Sequence, residues 1–298
     1  MRYLVYKSTD LLDSILLSAG ADCRFVRLTD AHLRSRLFNR LLSHAGSTGR
    51  FFPRLFRLLP GFSALRRVRS GDVLIVFDIS NPVLTDYLRR CVPTGCSLHA
   101  FFWNPLAKMF ASPDEAVGML RRQGYALSTF DGGDAQAFGL QLRRQFIATL
   151  PLPPTTTDYD YYFVGASKGR EALLRDLTTR LDSLGLKGKC VVARSSEEWI
   201  SYRENIDNVA RSRCLIELLQ QGQQGITLRA LEALVYRRKL ITNCHDVASL
   251  DFYRPQNILV WDGQDADAMA RFLAMPMADV PADVSARYSL ASWLSTFH

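Results

Sequence analysis

Apolar residues along this chain follow two patterns. Continuous runs such as Tyr3-Leu4-Val5-Tyr6, Val73-Leu74-Ile75-Val76-Phe77 and Tyr161-Tyr162-Phe163-Val164 have strand length. Between them lie stretches whose apolar side chains recur at helical spacing. In the first half this predicts a strand at Tyr3–Tyr6, then a helix at Asp10–Ala19 that Ser8, Thr9 or Asp10 can cap. A strand at Cys23–Leu28 follows. Segment 31–69 reads as two short helices broken around Gly46–Gly49. Asp72–Asp78 is an apolar run bounded by Asp, so the strand should be covered on both faces. Ser80-Asn81-Pro82 opens a helix through Cys91, with Pro in its first turn. Ser97–Trp103 reads as a strand, Asp114–Gly124 as a helix and Ala126–Phe130 as a strand, with Asp131–Asp134 turning out of it.

The rhythm stops at 149–158, TLPLPPTTTD, which reads as a linker. It resumes with the strand Tyr161–Val164, the loop Gly165–Arg170, the helix Arg170–Leu184 and the strand Cys190–Val192. Ser196–Asn205 predicts a short helix, Asn257–Trp261 a strand, Asp265–Leu273 a helix, and Ser285–His298 a helical tail. Strands alternating with helices imply an α/β protein with parallel, doubly wound sheets.

At 298 residues the chain has room for two domains of ordinary size. No apolar run approaches the roughly 20 residues of a membrane span. The start, MRYLVYKSTDLLDSILL, is broken by Lys7, Asp10 and Asp13 and reads as a strand and helix, not a signal peptide. The six cysteines are scattered without a CxxC pair, as for free thiols in a cytoplasmic protein. The net charge of +8 is concentrated. Between Asp30 and Asp72 there is no acidic residue, but there are nine arginines interleaved with Leu and Phe. Basic and apolar character together in 34–69 suits an anionic membrane surface at the inner face of the plasma membrane. Nucleic acid is the competing partner for such a patch and is not the reading adopted.

Most of the chemistry gathers in Arg213–Pro255. Cys214–Leu218 is strand-like and runs into a polar loop, Gln220 to Gly225. Thr227 precedes a helical stripe of Leu228, Leu231, Ala233, Leu234 and Val235, closed by Arg237-Arg238-Lys239. Leu240–Asn243 is the next strand. A strand, a glycine-containing loop and a helix N-terminus make an anion site, because free N–H groups point out of the first turn. Arg229 could add a bidentate phosphate contact, and Glu232 could accept from neighbouring ribose hydroxyls. Gly165, Ser167, Lys168 and Arg170 form a second such loop, which lacks both the P-loop and the GxGxxG spacing. Glu217 and Gln220 could hold sugar hydroxyls or serve as cap and ion-pair partner. The donor-binding set is thus Gly165, Ser167, Lys168, Arg170, Glu217, Gln220, Gln224, Gly225, Thr227, Arg229 and Glu232.

GQQGITLRALEAL followed by RKLITNCHDVASLDFYRPQNILV resembles the donor half of bacterial GT-B glycosyltransferases of lipopolysaccharide and capsule biosynthesis. Ser80-Asn81-Pro82, Phe101–Pro105 and Tyr159–Gly165 leading into Lys168-Gly169-Arg170 match the same group. The resemblance runs from about Asp72 to Trp261. It implies two Rossmann-like domains facing each other across a cleft. The first, acceptor-side domain would span 1–150 and the nucleotide-sugar donor domain 159–280, with a helix in 281–298 returning to the first. It implies transfer of a sugar from a nucleotide-sugar donor to a glycan or lipid-linked acceptor, and it puts Glu232 at the nucleotide ribose. A second acidic residue that these enzymes often carry upstream is Gly225 here, so the motif does not name the sugar.

For the acceptor base the sequence offers Asp10, Asp13 and Asp78, each following an expected strand, with Asn81 and Asn104 nearby. The five histidines lack ligand spacing; His99 reads as a core residue, and His245-Asp246 could touch the donor. Neither a metal nor another cofactor is expected. Two other readings compete: a GT-B-shaped sugar-nucleotide epimerase, and a nonenzymatic adaptor docking at a membrane through 34–69.

Overall fold

The structure, a computed structural model, describes residues 1–17, 23–29, 40, 62–220 and 225–298. Most of the basic segment 34–69, including the break expected at Gly46–Gly49, lies outside the described residues, as does Gln224 with 221–223. The chain divides into two compact units. One is Met1–Asp13, Ala19–Arg144 and Ala291–His298; the other is Ser14–Ser18 and Gln145–Leu290.

The first unit holds strands β1 (Arg2–Lys7), β2 (Cys23–Leu28), β3 (Val73–Phe77), β4 (Ser97–Phe102), β5 (Ala126–Thr129) and β6 (Gln141–Leu142). They form one sheet in the order β2-β1-β3-β4-β5-β6, and every pairing is parallel. Helix α1 (Asp10–Leu17) begins in it, and its other described helices include α2 (Pro82–Cys91), α3 (Leu106–Met109), α4 (Pro113–Arg122) and α5 (Gly132–Phe138). All five residues of β3 are buried, as a strand covered on both faces requires. On one face Tyr3, Val5, Leu74, Val76 and Phe102 join Leu84, Leu88 and Leu120 in a single core.

The end of the chain completes this unit. Trp293 lies 5.8 Å from the Phe77 ring and 5.0 Å from Phe101, and Arg143 sits 4.0 Å over Phe297. The tail is not the single helix expected over Ser285–His298. It is α10 (Ala282–Ala286) and α11 (Leu290–Ser295). The break at 287–289 has a tertiary cause: Tyr288 Oη donates to Asp251 at 2.6 Å, Arg287 pairs with the same carboxylate at 3.0 Å, and Ser289 bridges Ile147. The turn expected at Asp131–Asp134 is the start of α5. Asp131 accepts from the Asp134 N–H at 2.9 Å, and this cap offsets the poor helix propensity of Gly132-Gly133.

The second unit holds β7 (Tyr159–Ala166), β8 (Gly188–Ala193), β9 (Ser212–Glu217), β10 (Lys239–Thr242) and β11 (Ile258–Val260). Their order is β11-β10-β9-β7-β8, again parallel throughout. Its helices are α6 (Glu171–Ser183), α7 (Tyr202–Ala210), α8 (Leu228–Val235) and α9 (Ala266–Ala274), besides α10. Leu174, Leu177 and Leu181 of α6 and Met269 and Phe272 of α9 cover Tyr161, Phe163, Ile216 and Ile241 on one face. Helices α7 and α8 pack against β9, α7 also against β7 and α8 against β10. The expected helix Ser196–Asn205 is split. Ser196–Glu198 is one 3-10 turn, and α7 starts at Tyr202 because Ser201 accepts from the Glu204 N–H at 3.1 Å.

In both sheets the second strand lies outside the first, and the third lies on the first strand's other side. The winding therefore reverses between β1 and β3 in one sheet and between β7 and β9 in the other. Loops leaving the carboxyl ends of such a pair diverge and leave a crevice. Among the described residues no helix is long and apolar enough to cross a membrane.

Candidate functional site

The reversal between β7 and β9 brings together the two loops that carry most of the candidate residues. After β7, Ser167 N–H donates to Ala193 O at 3.0 Å, and Arg170 N–H returns to Ser167 O at 3.1 Å. Lys168 and Gly169 both take positive φ, 43° and 78°, to close this turn, and both are exposed. Glycine adopts that conformation freely; a lysine does so at a cost of about 1–2 kcal/mol.

Arg170 then turns back over the sheet. Its Nε donates to Ala166 O at 2.9 Å, its Nη1 donates to Leu218 O, and its guanidinium lies 5.3 Å over the Phe163 ring. The side chain thus ties the carboxyl end of β7 to the segment leaving β9. Gly165 makes room: a Cβ there would collide with the Arg170 guanidinium. Burial lowers the Arg170 pKa, and repulsion from Arg229 lowers it further.

Glu217, the last residue of β9, is 2% exposed and fully engaged. Its Oε1 accepts from the Thr227 N–H at 2.7 Å and the Thr227 hydroxyl at 2.6 Å, and its Oε2 accepts from Thr242 Oγ1 at 2.6 Å. Burial raises its pKa, against the pull of these donors. It serves as the clamp that seats α8 on the sheet, so a sugar hydroxyl would have to displace these bonds. Thr227 caps α8 through Oγ1, which accepts from the Arg229 N–H at 3.1 Å.

Arg229 and Glu232 face each other instead of an open helix mouth. Arg229 Nη1 donates to Glu232 Oε2 and, at 3.2 Å, to Asn205 Oδ1, and its guanidinium lies 5.8 Å from the Tyr162 ring centre. Asn205 Nδ2 donates to Glu232 Oε1 at 3.0 Å. Glu232 is 1% exposed; burial pushes its pKa up, while Arg229 and Asn205 pull it down. The carboxylate expected to meet a ribose is inside the unit, held by residues of α7 and α8.

The remaining groups stand at the same carboxyl edge. Gly225, with φ 78°, donates its N–H to Asp246 at 3.2 Å. Asn243, after β10, accepts from the Leu219 N–H at 2.7 Å. Gln220 is half-buried, and His245 pairs with Asp262 at 2.9 Å, both exposed. Trp199 is 51% exposed in the loop after β8. Sequence reasoning passed over Tyr162, Asn205 and Thr242 as binding partners in this network. Their only signal was a polar group on an otherwise apolar strand or helix face.

In the first unit Asp10 is the exposed opening residue of α1, and the cap is Thr9, whose Oγ1 accepts from the Leu12 N–H at 3.1 Å. Asp78 follows β3 with φ 54°. Its Oδ1 accepts from the backbone N–H groups of Trp103 at 2.9 Å and Asn104 at 3.1 Å, and its Oδ2 accepts from Asn104 Nδ2 at 2.6 Å. Burial nonetheless raises its pKa. Asn81 is spent capping α2, accepting from Val83 and Leu84 N–H groups at 3.0 and 3.1 Å. Asp13 accepts from Tyr6 Oη and Ser8 Oγ, both at 2.6 Å, and pairs with Arg27 at 2.5 Å. Asp10 and Asp78 thus follow the two strands between which the first sheet reverses. His99 is buried, its Nε2 3.1 Å from His298 O. Of the six free thiols, Cys190 is exposed, Cys96 half-buried and the other four buried.

No protein-family model matches this chain, and no curated protein matches it in sequence.

Proposed function

We propose that the chain is a GT-B-type glycosyltransferase, with the pyrophosphate of a nucleotide-sugar donor bound at the carboxyl ends of β7 and β9. One observation carries this reading: the Gly165–Arg170 loop and the loop entering α8 share the reversal point of a doubly wound parallel sheet, cross-linked by Arg170 to Leu218. Ligands of such sheets bind in that crevice. Lys168 and the backbone N–H groups at the starts of α6 and α8 supply the positive potential there. The buried Glu217–Thr227 and Arg229–Glu232 bonds hold the amide groups in place rather than touching the donor. Preorganised donors of this kind stabilise a leaving diphosphate without reorganising.

The acceptor is a surface-polysaccharide or lipid-linked glycan at the inner face of the plasma membrane. Asp78 and Asp10, at the reversal point of the first sheet, are its candidate bases. The deciding experiment is a thermal-shift and calorimetric screen of the full chain against nucleoside diphosphates and their sugars, without added metal and then with Mg²⁺. One diphosphate should stabilise the protein and its sugar conjugate should bind at the same site. Absence of stabilisation by every nucleotide tested removes the proposal.

A further inference from the structure

A cavity of about 450 Å³ lies in the second unit at the amino ends of the strands, where β11 begins and α8 ends, far along the sheet from the loops just described. Its wall is apolar: Ile147, Val235, Phe252, Ile258, Met277 and Val280. Arg237 and Arg238 also line it, and no Asp or Glu does among the described residues. Asn257 faces it too but is already closed against Ala278, donating to its carbonyl and accepting from its N–H, both at 2.8 Å.

The two arginines differ. Arg237 is exposed and pairs with Asp279 at 2.8 Å. Arg238 is half-buried; its Nη2 donates to Ala210 O at 2.8 Å, while its Nε is shut off from water with no acceptor. A shielded donor without a partner is costly. Burial lowers the Arg238 pKa, and no carboxylate offsets it. A second hollow that Arg238 also lines carries Asp160, which pairs with Arg213 at 3.1 Å. A largely apolar wall with a few polar groups, in this volume range, is the ordinary make-up of a small-molecule site.

We propose that this cavity binds an amphiphilic anion, its carboxylate or phosphate head on Arg238 and its apolar body against the Phe252–Val280 wall. The site is independent of the nucleotide reading. The test is calorimetric titration of the full chain with decanoate, decyl phosphate, decanol and inorganic phosphate. Decanoate or decyl phosphate should saturate one site, and the tighter of the two identifies the head group. Decanol and inorganic phosphate should bind at least about tenfold more weakly, the value of roughly one charge-assisted hydrogen bond. Arg238→Met should cost about tenfold in affinity for the amphiphile. Ser285→Phe, which adds a ring to the cavity wall, should abolish binding, and it decides the matter if Arg238→Met does not fold. Decanol binding as tightly as the anions, no saturable binding, or unchanged affinity in a folded variant overturns the proposal.

Discussion

Thr227 gives Glu217 two hydrogen bonds, one from its backbone N–H at 2.7 Å and one from its hydroxyl at 2.6 Å. The residue that caps α8 is therefore itself held by the last residue of β9. Glu217→Ala leaves the Thr227 N–H, its hydroxyl and the Thr242 hydroxyl without their acceptor. The expected loss is about 3 kcal/mol, with a smaller loss for Glu217→Gln, which keeps one oxygen. Urea unfolding measures both; a loss under about 0.5 kcal/mol for the alanine variant contradicts the clamp.

Arg229 and Glu232 should show strong coupling. Glu232→Ala strands a mostly buried guanidinium and should cost about 3–5 kcal/mol. The apolar double variant, Arg229→Met with Glu232→Leu, should cost much less than the sum of the two single changes. A double-mutant cycle in denaturant reports the coupling, and simple additivity would show that the pair acts through something else.

Lys168 separates binding from folding. With its φ at 43°, Lys168→Gly should leave stability unchanged or raise it by up to about 1 kcal/mol. The same change should weaken nucleoside diphosphate binding about tenfold if the loop receives the diphosphate. Calorimetric affinity should fall while the melting temperature, read on the same sample, holds or rises. Affinity that stays constant moves the anion site elsewhere.

Asp13 sets an acid limit. Burial pushes its pKa up, but hydrogen bonds from Ser8, Tyr6 and Arg27 outweigh burial and hold it below the usual carboxylate value. Between the two values the unfolded chain binds the extra proton. The contribution is therefore complete above about pH 4 and is lost as pH falls through the folded-state pKa. Asp13→Asn should lower stability at pH 7 and flatten its decline below about pH 4. Parallel pH profiles for the variant and the parent chain would assign the acid limit to other groups.

Local patterning made the α/β class and the parallel sheets legible. The limits of β2 and α2 match the expectation residue for residue, because a strand-length alternation and an Asn-Pro helix start are signals carried by neighbours in the chain. Such signals fade where distant residues decide. Nothing local separates the single expected tail from the observed α10 and α11, whose break depends on Asp251 and Ile147.

The candidate site divides in the same way. Its location followed from alternation alone: strands and helices in turn give a parallel sheet, and the polar, glycine-bearing loops fall at its carboxyl edge. Which side chains point out of that edge did not follow. Arg229 and Glu232 read as ligand groups because a charged residue near a helix start is ordinarily solvated. Burial became tolerable only because the fold carried Asn205 and Tyr162 to them from α7 and β7, where hydrogen bonds and a ring face replace water. Sequence by itself determined the order and kind of the elements, since each depends on contacts a few residues apart. Tertiary structure decided which charges are scaffold and which remain for a ligand, since desolvation depends on everything packed around a group.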